Sequence, residues 1–164
     1  PPMNTQSFNL NTKVVEARFT DYEAGMAAAK AEGKPVLIDF TGFGCVNCRK
    51  MEAAVWTDPS VAQKLENDYI LISLYVDDKT KLPQPVEVKD ENGEIRTLRT
   101  VGDRWSYLQS YKFGANTQPF YVAVDSQGSP LNGAYSYDEN VKDYLNFLDK
   151  GLENYKKGMN NAAN

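Results

Sequence analysis

Hydrophobic and polar positions follow two patterns along the chain, and each pattern predicts a different element. Apolar runs of five to eight residues, bounded by Gly, Pro, Asp or Thr, are too short for helices and predict strands, and a run with no polar face predicts a buried strand. The predicted strands are Val14–Phe19, Pro35–Phe40, Tyr69–Val76, Pro119–Asp125 and Leu131–Tyr135.

The segments between these runs contain good helix formers and carry helix-end signals. Asp21 and Asp58 are N-cap residues, and Gly33 follows the end of the first helix. The predicted helices are 22–31, 48–56, 58–67, 105–113 and 138–155. Strands and helices therefore alternate, which predicts an α/β fold with a central sheet flanked by helices.

The polar interval 79–100 interrupts this alternation. Apolar residues alternate with polar ones on both sides of Asn92-Gly93, a dipeptide typical of tight hairpin turns. We therefore predict a hairpin-like elaboration of the α/β core, which serves either as a lid or docking surface or as an inert insertion.

Length and composition favour one globular domain over residues 1–157, followed by a flexible tail at 158–164. The net charge is −4, there is no basic run, and no apolar run approaches the length of a membrane helix. These features argue against binding to nucleic acid or to an anionic membrane. Because the chain has no His, catalysis by a His-dependent triad or a Cys–His pair is excluded.

Both cysteines lie in one short motif, Cys45-Val46-Asn47-Cys48. A structural disulfide is disfavoured because so short a loop removes little entropy from the unfolded chain. A zinc site is disfavoured because it usually needs four Cys or His ligands, and this chain offers two. The motif therefore indicates a redox-active pair.

The position of the pair supports redox chemistry. Cys45 follows the predicted strand 35–40 and begins a helix, whose N-terminus stabilises a thiolate. We expect Cys45 to be the attacking nucleophile. Cys48, one turn further along, resolves the mixed disulfide.

Two carboxylates are candidates for proton transfer. Asp39 lies in the apolar strand, where a buried acid with a raised pKa could take the proton of Cys48 through water; alternatively it caps the turn at an exposed strand end. Glu52 is four residues after Cys48 on the same helical face, and an ordinary surface salt bridge is an equally good interpretation of it.

The segment "KPVLIDFTGFGCVNCRKME", followed by "DPSVAQKL", resembles the C-terminal periplasmic thioredoxin-like domain of the DsbD family of thiol–disulfide interchange proteins. The resemblance is specific through residues 34–77 and resumes at "FGANTQPFYVAVDSQGSPL". It implies a thioredoxin-like fold with a central mixed sheet, and a cis-proline at Pro119, preceded by Gln118, in a loop beside the cysteines. The pattern differs at one place: Gly44 replaces the aromatic residue that usually precedes the first Cys, and Phe43 stands one position earlier.

The resemblance implies an enzyme that passes electrons from a membrane-embedded dithiol to periplasmic protein partners through transient mixed disulfides. It assigns Cys45, Cys48, Asp39 and Glu52 to catalysis. It assigns partner binding to Gln118, Pro119, Phe43 and Gly44. We expect a monomer that needs no cofactor or metal beyond its own cysteine pair.

Two other functions stay open. One is a free-standing thioredoxin-like reductase without a membrane donor. The other is a redox-inert thioredoxin-fold binding module that uses the 79–100 segment as its contact surface. Metal delivery is a weaker third, because no His or Met stands beside the cysteines.

Overall fold

A computed structural model of the protein describes residues 14–163. The helices are α1 (Tyr22–Glu32), α2 (Val46–Ala54), α3 (Pro59–Gln63, continued by a π-helical turn over Lys64–Asp68), α4 (Val101–Phe113) and α5 (Val141–Ala163). The strands are β1 (Val36–Thr41), β2 (Ile70–Tyr75), β3 (Lys81–Lys89), β4 (Ile95–Thr100) and β5 (Phe120–Val124).

The central sheet has the order β2-β1-β5, with β1 parallel to β2 and antiparallel to β5. Thr41 pairs with Tyr75 at one end of this sheet, and Phe40 pairs with Phe120 at the same end. The chain segments that follow β1 and β2 and precede β5 therefore meet at one edge. This edge holds the cysteines and, as shown below, the rest of the candidate site.

Two apolar clusters cover the two faces of the sheet. Alternate residues of β1 point to opposite faces, so that Leu37 packs with residues of α2, α3 and α5, while Ile38 packs with residues of α1 and α4. Asp39 is two residues from Leu37, and it therefore lies on the face covered by α2, the helix that carries the cysteines.

The predicted mixed sheet flanked by helices is confirmed, but the prediction of a continuous strand at each outer edge of the sheet is wrong. The segment predicted at 14–19 makes only a parallel bridge from Phe19 to Ile72. The segment predicted at 131–135 is held by isolated bridges from Pro130 and Tyr135 to β5. The backbone of this segment bonds to β5 through the N–H of Leu131, which donates to the carbonyl of Ala123, and through a reciprocal pair between Tyr121 and Tyr135. These contacts form separate bridges and not a continuous strand.

Helix boundaries differ from the predicted ones at two places. α4 begins at Val101, four residues before the predicted start, because Thr100 and Asp103 form a reciprocal capping box. α5 begins at Val141 and continues to Ala163, well beyond the predicted end at residue 155. The helix thus extends into the 158–164 segment that we predicted to be flexible.

The predicted hairpin is confirmed as β3 and β4, which form a separate antiparallel sheet. Its turn is stabilised by the Asp90 carboxylate, which accepts the N–H groups of Asn92 and Glu94, and Gly93 adopts a φ of 79°. The Tyr107 hydroxyl of α4 donates to the carbonyl of Lys89 and attaches the hairpin to the core.

Candidate functional site

Cys45 and Cys48 are joined by a disulfide at the N-terminus of α2. Cys45 is the N-cap residue, and its Sγ accepts the backbone N–H of Cys48 at 3.2 Å. Cys48 is 1% exposed, whereas Cys45 is partly exposed. Cys45 is therefore the more accessible of the two residues, and Cys48 is covered.

Asp39 is buried beneath this helix with only 2% of its surface exposed. Its cross-strand neighbours are Ser73 of β2 and Tyr121 of β5. The Ser73 hydroxyl donates to Asp39 Oδ2 at 2.7 Å. The alternative interpretation of Asp39, as a turn cap at an exposed strand end, is wrong because period-two alternation directs the carboxyl into the α2 face of the sheet.

Burial raises the pKa of Asp39 to about 7, because the charged form loses its hydration. The bond from Ser73 opposes this rise, the nearby Glu52 carboxyl adds to it, and the guanidinium of Arg49 opposes it. A carboxyl whose pKa lies near neutrality exchanges protons readily at physiological pH, as a general acid or base must.

Glu52 is half-buried on α2, and the salt bridge expected in one of its two interpretations is present. It forms a salt bridge with Arg49 at 3.1 Å. Burial nevertheless raises the pKa of Glu52, and the charge and hydrogen bond of Arg49 only partly offset this effect. Arg49 also donates to the hydroxyl of Thr41, a buried residue at the end of β1.

A cavity of about 310 Å³ leads toward these carboxyls. Glu52 and Ser73 are among its lining residues, so it reaches the hydroxyl that is bonded to Asp39. The remaining lining residues are Val14, Val15, Glu16, Ala17, Thr20, Trp56 and Tyr75. The cavity has room for water beside Glu52 and Ser73.

The loop before β5 completes the site. The Gln118–Pro119 peptide bond is cis, as the family resemblance implied. The loop is held by Gln109, a fully buried residue of α4, which donates to the carbonyl of Thr117 and accepts from the Gln118 amide, each at 2.9 Å. Pro119 directly precedes the residue paired with Phe40, at the sheet edge from which the cysteine loop departs.

Phe43 and Gly44 lie in the loop just before Cys45. Phe43 is 60% exposed and stacks on Tyr75 with ring centroids 4.0 Å apart. Asp77, just after β2, accepts both backbone N–H groups of this loop. All eight predicted site residues thus lie on segments that meet at one sheet edge or directly beneath the cysteine helix.

Several residues of this site were not predicted from the sequence. They are Thr41, Ser73, Tyr75, Asp77 and Gln109. The single serine in the apolar run "YILISLYV" was a usable signal for Ser73, since a small polar residue inside a buried strand needs a partner.

The described residues contain no group of three or more His, Cys, Asp or Glu arranged to hold a metal ion. Over the same range, every helix is either too short or too polar to cross a bilayer.

A mixed sheet with a Cys-x-x-Cys disulfide at the N-terminus of the following helix, beside a cis-proline loop, defines a thioredoxin-fold protein. The chain belongs to the Thioredoxin-like family, whose profile matches residues 17–126.

Curated relatives and solved structures agree with this assignment. The chain is 24% identical over 140 residues to the thiol:disulfide interchange protein DsbD of Yersinia pestis, covering 81% of this chain and 20% of that protein. It is 41% identical over 49 residues to DsbD of Salmonella typhimurium, covering 30% of this chain and 9% of that protein. The chain thus spans a fifth or less of the length of these relatives. The predicted resemblance to DsbD is confirmed.

Among solved structures, the reduced C-terminal domain of Neisseria meningitidis DsbD superposes with a TM-score of 0.56 at 18% identity, covering 81% of this chain and 98% of that one. A putative disulphide-isomerase from Bacteroides thetaiotaomicron superposes with a TM-score of 0.61 at 17% identity, covering 87% of this chain and 96% of that one. At such identities these likenesses establish the fold.

Proposed function

We propose that this chain is a thiol–disulfide oxidoreductase domain that exchanges electrons with protein partners through Cys45 and Cys48. The observation that carries the proposal is the paired arrangement of an accessible sulfur and a covered sulfur at a helix N-terminus, with a buried carboxyl beneath. A binding module would need neither the pair nor the costly burial of Asp39.

In the reducing direction, the Cys45 thiolate attacks one sulfur of a partner disulfide. The partner's S–S bond breaks, a mixed disulfide forms and one partner thiolate leaves. The Cys48 thiolate then attacks Cys45 Sγ, which releases the second partner thiolate and leaves the Cys45–Cys48 disulfide. The partner gains two electrons and two protons, and this chain loses them.

Asp39 and Glu52 serve the proton side of this exchange. Asp39 accepts the proton of Cys48 as that thiol becomes a nucleophile, through water if no direct contact forms. Support comes from its position under α2, from its pKa of about 7 and from the cavity lined by its hydrogen-bond partner Ser73. Gln118 and Pro119 offer backbone groups to the partner at the sheet edge.

By analogy with the DsbD relatives, we further propose a periplasmic location, a membrane-embedded dithiol as electron donor, and protein disulfides as acceptors. We also propose that the domain is monomeric and that its own cysteine pair is its only redox group.

The reduction potential of the pair tests the central proposal. The protein is equilibrated in glutathione or dithiothreitol buffers, and free thiols are counted by mass. A potential in the range of about −180 to −270 mV supports electron exchange, whereas one below about −300 mV is that of a structural disulfide and would refute it.

A trapping experiment separates the alternatives. Cys48→Ser should accumulate mixed disulfides through Cys45, and the matched variant Cys45→Ser should accumulate none because its remaining sulfur is buried. Equal behaviour of the two variants would favour the redox-inert binding module. Efficient reduction of protein disulfides with soluble dithiols alone would favour a free-standing reductase.

A further inference from the structure

The turn that precedes Cys45 is folded around a carboxylate from another part of the chain. Asp77 Oδ1 accepts the N–H of Phe43 at 2.8 Å, and Oδ2 accepts the N–H of Gly44 at 3.0 Å. The N–H of Cys45 closes the turn by donating to the carbonyl of Gly42 at 3.2 Å. One side chain thus holds the two residues directly before the accessible sulfur.

The two glycines of this turn face the same carboxylate. A Cβ atom at Gly42 would lie 3.2 Å from Asp77 Oδ2, closer than most such contacts, and one at Gly44 would lie 3.8 Å from it. The absence of a side chain at Gly42 therefore lets the backbone wrap closely around Asp77. Partial burial acts to raise the pKa of Asp77, but the N–H bonds from Gly44 and Phe43, together with its own N–H and the charge of Arg49, outweigh this effect and lower the pKa.

The hydrogen bonds from the Phe43 and Gly44 N–H groups to Asp77 fix the position of Phe43. Its ring stacks on Tyr75, nearly parallel at 12°, and still leaves 60% of the residue exposed. On the other side of Cys45, Val46 is 67% exposed. Two apolar side chains therefore flank the accessible sulfur, where any partner cystine must approach.

We propose that Asp77 is a positioning residue that holds Phe43 as an apolar contact for the polypeptide beside a partner's reacting cystine. The inference rests on the proposed function and adds a specificity to it: partners carrying an apolar side chain next to the reacting cysteine are preferred. The occupant is a segment of a protein disulfide, because the contact lies directly beside the sulfur that bonds to it.

The test uses two short disulfide-linked peptides that are identical except for Leu or Ser next to the reacting cysteine. For the reduced wild-type protein, we expect kcat/KM to be about five times higher for the Leu peptide, mainly through a lower KM, because contact with Phe43 buries part of the Leu side chain. Both peptides are measured with the same protein, so a change in thiol reactivity that affects both peptides equally cancels in the ratio of the two kcat/KM values.

Asp77→Asn should abolish most of this preference. Asn has one carboxamide oxygen, so it can keep one of the two N–H bonds and sets an NH₂ group against the other donor. Phe43→Ala should abolish the preference as well, and the double variant should show no further loss. Because Phe43 is exposed, its replacement tests the proposal even if Asp77→Asn impairs folding.

Asp125→Asn is the matched control. Asp125 also accepts two backbone N–H groups, from Gln127 at 2.9 Å and Ser129 at 3.0 Å, but it follows the opposite end of β5. Its replacement should leave the Leu-to-Ser ratio unchanged.

The outcomes separate the two proposals. If the wild type reduces neither peptide, the oxidoreductase function itself fails. If it reduces both equally well, or if a folded Asp77→Asn or Phe43→Ala variant keeps the wild-type ratio, the function stands and the inference is overturned.

Discussion

Replacing Asp39 by Asn should make the oxidised protein less sensitive to pH, so that the free energy of unfolding of the variant, relative to the wild type, grows as the pH rises. Asp39 has a pKa of about 7 in the folded protein, against 3.8 for an ordinary Asp. A carboxyl whose folded pKa is raised is harmless below pH 3.8, where it is protonated in both states. Between pH 3.8 and 7 the unfolded chain ionises first, and folding then becomes progressively less favourable.

The magnitude follows from the shift. About three pKa units correspond to about 4 kcal/mol of lost stability above pH 7, at about 1.4 kcal/mol per unit. Integrated between pH 5 and pH 8, the loss is about 2.5 kcal/mol. Asn cannot ionise, and its carboxamide oxygen can still accept the bond from Ser73, so the variant should not show this loss.

The assay is urea unfolding of both oxidised proteins at pH 5 and pH 8. The difference in free energy of unfolding, variant minus wild type, should rise by about 2.5 kcal/mol between the two pH values. The unpaired NH₂ of Asn lowers both values by a similar amount and does not affect the change. Glu91→Gln, in the exposed hairpin turn, is the control and should show no such rise. A difference that stays constant with pH would refute the pKa assignment and with it the proton-transfer role.

Three further substitutions test the packing around the site by urea unfolding. Gly102→Ala should cost about 2 kcal/mol or more, because its Cβ would lie 2.5 Å from the carbonyl oxygen of Val76, whereas Gly133→Ala, with nothing within 4 Å, should cost far less. Gln109→Leu should cost about 2 kcal/mol by leaving the loop before β5 without two hydrogen bonds; equal stability would show that the loop is held otherwise. Trp56→Phe should cost about 1 to 3 kcal/mol, since the buried Tyr144 hydroxyl loses the indole N–H that donates to it and a void remains; a neutral effect would mean that the aromatic cluster repacks.

The core of the fold was predictable because its signals are local. The uninterrupted apolar runs of β1 and β2 could only be buried strands, and the caps at Asp21 and Asp58 fixed two helix starts within a residue. The capping box at Thr100 and Asp103 is an equally local signal, and it sets the start of α4 four residues before the predicted one. The predictions of continuous strands at 14–19 and 131–135 were wrong because a local apolar pattern does not determine how many residues pair with a neighbouring strand, and only isolated bridges form there.

The candidate site likewise has one part that was predictable from the sequence and one part that was not. The cysteine pair and Asp39 are close in sequence, so spacing alone placed them at a strand–helix junction. The contact from Asp77 to Phe43 joins the loops that follow two neighbouring strands, and the contact from Gln109 to Gln118 joins α4 to the loop before β5. No periodicity encodes such contacts, and only the three-dimensional arrangement reveals them.

The hairpin β3–β4 enters and leaves the fold at nearly the same point. Lys81 pairs with Thr100, and the N–H of Val101 donates to the carbonyl of Thr80 at 2.8 Å. Neither strand pairs with the central sheet. The segment is therefore an independent insertion, which could be shortened, lengthened or exchanged for a foreign loop without moving the sulfurs. The condition is that an apolar residue takes the place of the buried Leu98.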